Sequence, residues 1–179
     1  AGPAKEILSW PGPTGSAAGN ETPSLCGLAV GDLNQDGLAD LVVPLGRPGR
    51  LALWRQNPQG DFIEVTAGSG LESMTDALSC ALGDFDNDER PDLFVVGAGG
   101  NHLFRGGTNG LFTDVTGPAG LTKASSPGST ALFLDADHDG DLDVFVCGAK
   151  ANQLWNNNGD GTFTDLADKA AVACVDGGS

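Results

Sequence analysis

Tyrosine is absent from this 179-residue chain, and only two histidines and nine lysines and arginines stand beside 24 aspartates and glutamates. Each shortage removes a class of function. With no tyrosine, and histidine only at His102 and His138, no Ser–His–Asp arrangement can be placed and few groups remain for acid–base work. An enzyme is therefore not expected. A formal charge of −15 makes nucleic acid and anionic membranes poor partners. No apolar run approaches the ~20 residues that span a bilayer, so membrane insertion is not expected. Cys26, Cys80, Cys147 and Cys174 lack C-x-x-C spacing, which argues against zinc. They leave room for one disulfide, and Cys147, within VFVCG, reads as a small buried hydrophobe. No leader is visible and the chain opens with Ala1, which reads as a mature or excised segment.

Glycine and aspartate are plentiful instead. Twenty-eight glycines and ten prolines, with regular short apolar runs, fit many short strands joined by tight turns. The acids are concentrated in a nonapeptide written three times: DLNQDGLAD at Asp32–Asp40, DFDNDERPD at Asp84–Asp92 and DADHDGDLD at Asp135–Asp143. Each copy places oxygen side chains at positions 1, 3, 5 and 9. These are Asp32, Asn34, Asp36 and Asp40; Asp84, Asp86, Asp88 and Asp92; and Asp135, Asp137, Asp139 and Asp143. The backbone carbonyl at position 7, from Leu38, Arg90 and Asp141, completes a set suited to Ca²⁺, which takes six to eight oxygens in flexible geometry. Three such ions would bring the charge from −15 to −9. Gly37 and Gly140 at position 6 supply the positive φ of a sharp turn, whereas the second copy has Glu89 there, followed by Pro91. An EF-hand is excluded, because position 12 is Val43, Val95 and Val146, inside strand-like runs.

More than the loop repeats. An apolar run precedes each copy, and LVVPL, LFVV or VFVC follows it. Next come an aromatic triplet (Leu53-Trp54-Arg55, Leu103-Phe104-Arg105, Leu154-Trp155-Asn156), a turn, and FIEVT, FTDVT or FTDLA. Four strands in about 50 residues make a blade-like unit. Trp54, Phe104 and Trp155 read as packing residues between units, and Trp10 as a surface aromatic. The runs flanking the loops are apolar on both faces, as in strands buried between neighbouring sheets. Small four-stranded sheets set radially make a propeller.

The unit resembles the FG-GAP/VCBS repeat, which forms the blades of integrin-α-type β-propellers and of many extracellular bacterial proteins. The DxDxDGxxD loop and the NNNGDGTFTDLA stretch at Asn156–Ala167 carry the likeness, which runs over about residues 5–168. It implies one Ca²⁺ between the first two strands of each blade and an extracellular or cell-surface location.

The expectation is a single all-β repeat domain over 1–179. It comprises three four-stranded antiparallel blades at about 24–66, 76–116 and 128–167, an N-terminal strand and loop at 1–23, with KEILS at Lys5–Ser9, and a tail at 168–179. Closed propellers usually have four to eight blades. Three blades therefore imply a fragment of a larger propeller or a ring completed by self-association, with a homodimer as the first guess. The expected function is a calcium-stabilised, non-catalytic module for adhesion or for a protein or glycan ligand, docking on Pro11–Ser24, Ala67–Ala77 and Gly117–Ser129. A propeller-based polysaccharide-active enzyme fragment and a purely structural blade array are the alternatives.

Overall fold

The computed structural model describes residues 27–46, 49–121, 128–148 and 151–173. Lys5–Ser9, Trp10, Pro11–Ser24, Cys26 and Cys174 lie outside these residues. Among the described residues twelve strands fall into three groups of four. Unit 1 holds β1 (Ala29–Gly31), β2 (Asp40–Gly46), β3 (Gly49–Gln56) and β4 (Phe62–Glu64). Unit 2 holds β5 (Ala77–Gly83), β6 (Asp92–Gly97), β7 (Asn101–Gly106) and β8 (Phe112–Asp114). Unit 3 holds β9 (Gly128–Leu134), β10 (Asp143–Gly148), β11 (Gln153–Asn157) and β12 (Phe163–Asp165). Within each unit, strands consecutive in sequence pair antiparallel, so every unit is a four-stranded meander. A single pair, Gly49 with Ala77, joins the sheets of units 1 and 2, and Gly27 bridges Ser79 in parallel.

The register sorts side chains onto two faces. Leu82, Leu93 and Phe104 stand opposite one another across β5, β6 and β7 and face unit 1. Phe94 pairs with Leu103 on the other face and looks toward unit 3. Every residue of β6 is buried, because its Leu93 and Val95 enter the core between units 1 and 2 while Phe94 and Val96 enter the core between units 2 and 3. That double burial is why LFVV reads as an unbroken apolar run. Fully buried aliphatic and aromatic side chains of this kind contribute about 1.5–3 kcal/mol each.

The end units depart from this. Trp54 and Cys147 are only half-buried, contrary to the expectation of packing between units and in a core. Trp54 lies on the face of unit 1 that points away from unit 2, and Cys147 on the face of unit 3 that points away from unit 2. Among the described residues no further blade covers either face. Cys147 is a free thiol, and the Cys80 Sγ lies 3.4 Å from the Val42 carbonyl.

The segments between units also differ from expectation. Ala67–Ala77 and the described part of Gly117–Ser129 act as plugs more than as open recognition loops. Leu71 and Met74 enter the first core, and Ala119 and Leu121 enter the second. Each plug is strapped to the next unit by its backbone. Phe112 N–H donates to the Ser69 carbonyl at 2.7 Å, and Phe163 N–H to the Ala119 carbonyl at 2.9 Å. Leucine and methionine in these glycine-rich links have more to gain from burial than from solvent.

Candidate functional site

The three acidic nonapeptides lie between the first two strands of their units, and they share most of their hydrogen bonds. The position-1 carboxylate caps the turn. Asp32 accepts from Asp36 N–H and Gly37 N–H at 3.0 and 2.8 Å, and Asp84 from Asp88 N–H and Glu89 N–H at 3.0 and 2.8 Å. Asp135 accepts from Gly140 N–H at 3.3 Å. The position-5 carboxylate accepts from the position-7 N–H: Asp36 from Leu38 at 2.8 Å, Asp88 from Arg90 at 2.9 Å and Asp139 from Asp141 at 2.9 Å.

Position 9 is the buried anchor. Asp40, Asp92 and Asp143 are 0%, 0% and 1% exposed. Asp92 accepts from Phe85 N–H at 2.8 Å and from Gly106 N–H at 2.7 Å, so it ties the loop to the end of the third strand of its unit. Asp40 does the same with Leu33 and Gln56, and Asp143 with Ala136 and Asn157. Burial without a cationic partner pushes Asp92 up to about 7, and burial also raises Asp40. Asp86 is raised as well, first by burial and then by Asp88 beside it.

The backbone is bent the same way each time. Position 6 is left-handed, with φ of 84° at Gly37, 66° at Glu89 and 96° at Gly140. Glu89 thus takes the same left-handed conformation as its glycine counterparts, at a cost that glycine does not bear. Position 4 is left-handed too, at Gln35, Asn87 and His138 (φ 59°, 58° and 65°), a feature the sequence pattern did not flag. This twist aims the position-4 side chain at the next unit. Gln35 Nε2 donates to the Glu89 carbonyl at 3.0 Å, and Asn87 Nδ2 to Asp141 Oδ1 at 2.8 Å.

The second and third loops gather carboxylates. One oxygen each from Asp84, Asp86 and Asp88 lies within 4.8 Å of the others, and the same holds for Asp135, Asp137 and Asp139. Asp86 Oδ1 and Asp135 Oδ1 are buried with no hydrogen-bond partner. A buried anionic oxygen lacking a donor, inside a ring of acids, fits a hard cation. The first loop has Asn34 at position 3, whose side chain donates to Asp36 Oδ2 at 2.9 Å and whose own oxygen accepts from Asp36 N–H at 3.3 Å. That loop holds itself together with fewer charges.

Charge separates the second loop from the third. Arg105 Nε lies 2.7 Å from Asp86 Oδ2, with its guanidinium 5.7 Å from the Phe85 ring centre, and Arg90 pairs with Asp88. In unit 3 the position of Arg105 is Asn156, whose amide reaches Asp137 and Asp143 at 3.2 and 3.1 Å. The third loop therefore faces no arginine among these contacts. The signal was in the aromatic triplets, which end in Arg, Arg and Asn.

A repeated all-β scaffold carrying one acidic loop per four-stranded unit defines the class. The FG-GAP-like repeat profile matches residues 32–95, 84–146 and 135–178, and the chain belongs to that family. A search of curated proteins finds no match. Among solved structures, a lectin from Agrocybe aegerita, described for its specific recognition of non-reducing terminal N-acetylglucosamine, is similar. It shares 19% identity over 78% of this chain, with a TM-score of 0.47. The chain spans 37% of that protein's length. Among the described residues no helix is long and apolar enough to cross a membrane.

Proposed function

We propose that this chain is a calcium-stabilised, extracellular, non-catalytic binding module. In this reading Ca²⁺ is held by Asp84, Asp86, Asp88, Asp92 and the Arg90 carbonyl in the second loop. The third-loop set is Asp135, Asp137, Asp139, Asp143 and the Asp141 carbonyl, and the first-loop set is Asp32, Asn34, Asp36, Asp40 and the Leu38 carbonyl. The observation that carries it is the convergence of three carboxylates around a buried, donorless oxygen in both the second and third loops. Bound there, the ion supplies charge neutralisation, and its binding free energy becomes folding free energy. Millimolar extracellular calcium suits loops of this type. Ligand recognition, of a protein or a glycan, then falls to the outer surface that the braced units hold rigid. His102 stacks on Phe104, with ring centres 6.2 Å apart, and His138 is an exposed loop residue.

Calorimetric titration with CaCl₂ tests the assignment. The chain takes up about three ions, one per acidic loop, and Asp135→Ala removes one of them while leaving the others. An Asp135→Ala chain with unchanged stoichiometry would sink the assignment of the third loop.

A further inference from the structure

We infer that two copies of this chain join head to tail, the outer face of unit 3 in one copy packing on the outer face of unit 1 in the next. The inference is independent of the calcium reading and rests on an interface that the chain already makes twice.

Each unit has a downstream face, toward the following unit, and an upstream face, toward the preceding one. In the first core the downstream row Ala29, Val42 and Leu53 of unit 1 meets the upstream row Leu82, Leu93 and Phe104 of unit 2. In the second core Phe94, Leu103 and Val115 of unit 2 meet Phe133, Val144 and Trp155 of unit 3. The strand registers place the third such pair without ambiguity. The downstream row of unit 3 is Leu132, Phe145 and Leu154, and the upstream row of unit 1 is Val30, Leu41 and Trp54. Both rows are apolar and in the same register as their equivalents between units, of which Ala81, Leu82, Val115 and Phe133 are half-buried and the rest buried, whereas Val30 is 54% and Leu132 46% exposed. The two rows match each other as the rows of the two buried pairs do.

The polar fittings of the interface recur in step. The plug that carries Leu71 after unit 1 and Leu121 after unit 2 is followed after unit 3 by a turn ending at Val172. There Ala170 N–H donates to the Leu166 carbonyl at 2.8 Å, as Ala119 N–H does to Val115 at 2.8 Å. The strap accepted by the Ser69 and Ala119 carbonyls would pass next to the Ala170 carbonyl, with Phe62 N–H of the second copy as donor. His138 occupies the position from which Gln35 and Asn87 reach the following loop. In the pair it meets the Gly37–Leu38 corner of the second copy. An interface between unlike faces closes a ring when its rotation permits, and two copies supply six blades, within the usual range for a closed propeller.

The test is light-scattering mass of the full chain, of Val30→Asp and of Leu132→Asp, at rising concentration, with circular dichroism to follow folding. Both positions are half-exposed, so each variant retains the fold. The wild type is expected at twice 18.1 kDa or a higher multiple, and each variant alone at 18.1 kDa. An equimolar mixture of the two variants keeps one intact downstream face and one intact upstream face, and regains a dimer. A wild-type chain that stays at 18.1 kDa at every concentration overturns the inference. So does a Leu132→Asp chain that associates like the wild type, which would mean pairing between like faces. A mixture of folded variants that stays monomeric overturns it as well.

Discussion

Asp92 makes the metal-free fold sensitive to pH in an unusual direction. Its carboxyl has no exposure and is pushed from 3.8 to about 7 by burial. Between those values the folded chain holds a proton that the unfolded chain has released, so stability is full below the lower value and falls as pH rises through the upper one. Each unit of difference is about 1.4 kcal/mol, so the loss by neutral pH is up to about 4 kcal/mol, less whatever water screens the carboxylate. Asp40 and Asp86, raised mainly by burial, act in the same direction. Glu64, held low by its hydrogen bond from Arg50, acts oppositely but only below its ordinary 4.5. Repulsion among the other acids also grows with pH, and about 1 M NaCl, with a Debye length of about 3 Å, suppresses it. Urea unfolding in chelator and high salt, from about pH 4.5 to about pH 7.5, should show stability falling toward neutrality. Asp92→Asn should flatten that slope, and so should Ca²⁺, which stabilises the carboxylate. Stability that is level or rises with pH in chelator would refute the reasoning, and so would a slope that Asp92→Asn leaves undiminished.

Other outcomes follow from the same geometry. Glu89→Gly relieves a left-handed residue at φ 66° and should stabilise the chain by about 1 kcal/mol in denaturant titration. Gly70→Ala should cost about 2 kcal/mol or more, because Gly70 has φ 92° and a Cβ there would strike the Phe112 carbonyl. Arg105→Asn gives the second loop the residue that serves the third, and should tighten calcium binding there by roughly 1 kcal/mol, read as a several-fold lower Kd by calorimetry.

The period, the strands and the acidic loops were legible because each is written locally: alternation, apolar runs and acids at fixed spacing. The left-handed Glu89 was foreseeable from its two glycine counterparts. The left-handed residues at Gln35, Asn87 and His138 were not, since nothing about their type demands it. Only the neighbouring unit shows why position 4 turns outward. The double duty of Asp92, which ties Phe85 to Gly106, was hidden because its second partner lies 14 residues away on another strand. Leu71 and Leu121 looked like loop residues because their glycine-rich surroundings mask a burial that only packing between units creates. Trp54 and Cys147 failed in the opposite sense. Their sequence environment matches that of buried equivalents, and their half-exposure comes from standing on end faces.

The most direct test of the account is a thermal melt of the same sample in excess Ca²⁺ and in chelator. At a hundredfold excess over Kd each occupied loop contributes about 2.7 kcal/mol, and for a chain of this length each kcal/mol moves Tm by about 2–4 °C. Even one occupied loop therefore raises Tm by roughly 5–10 °C, and three raise it further. Superimposable melts would contradict the account, because loops that gather carboxylates around a buried oxygen without gaining from the ion would be turns and nothing more.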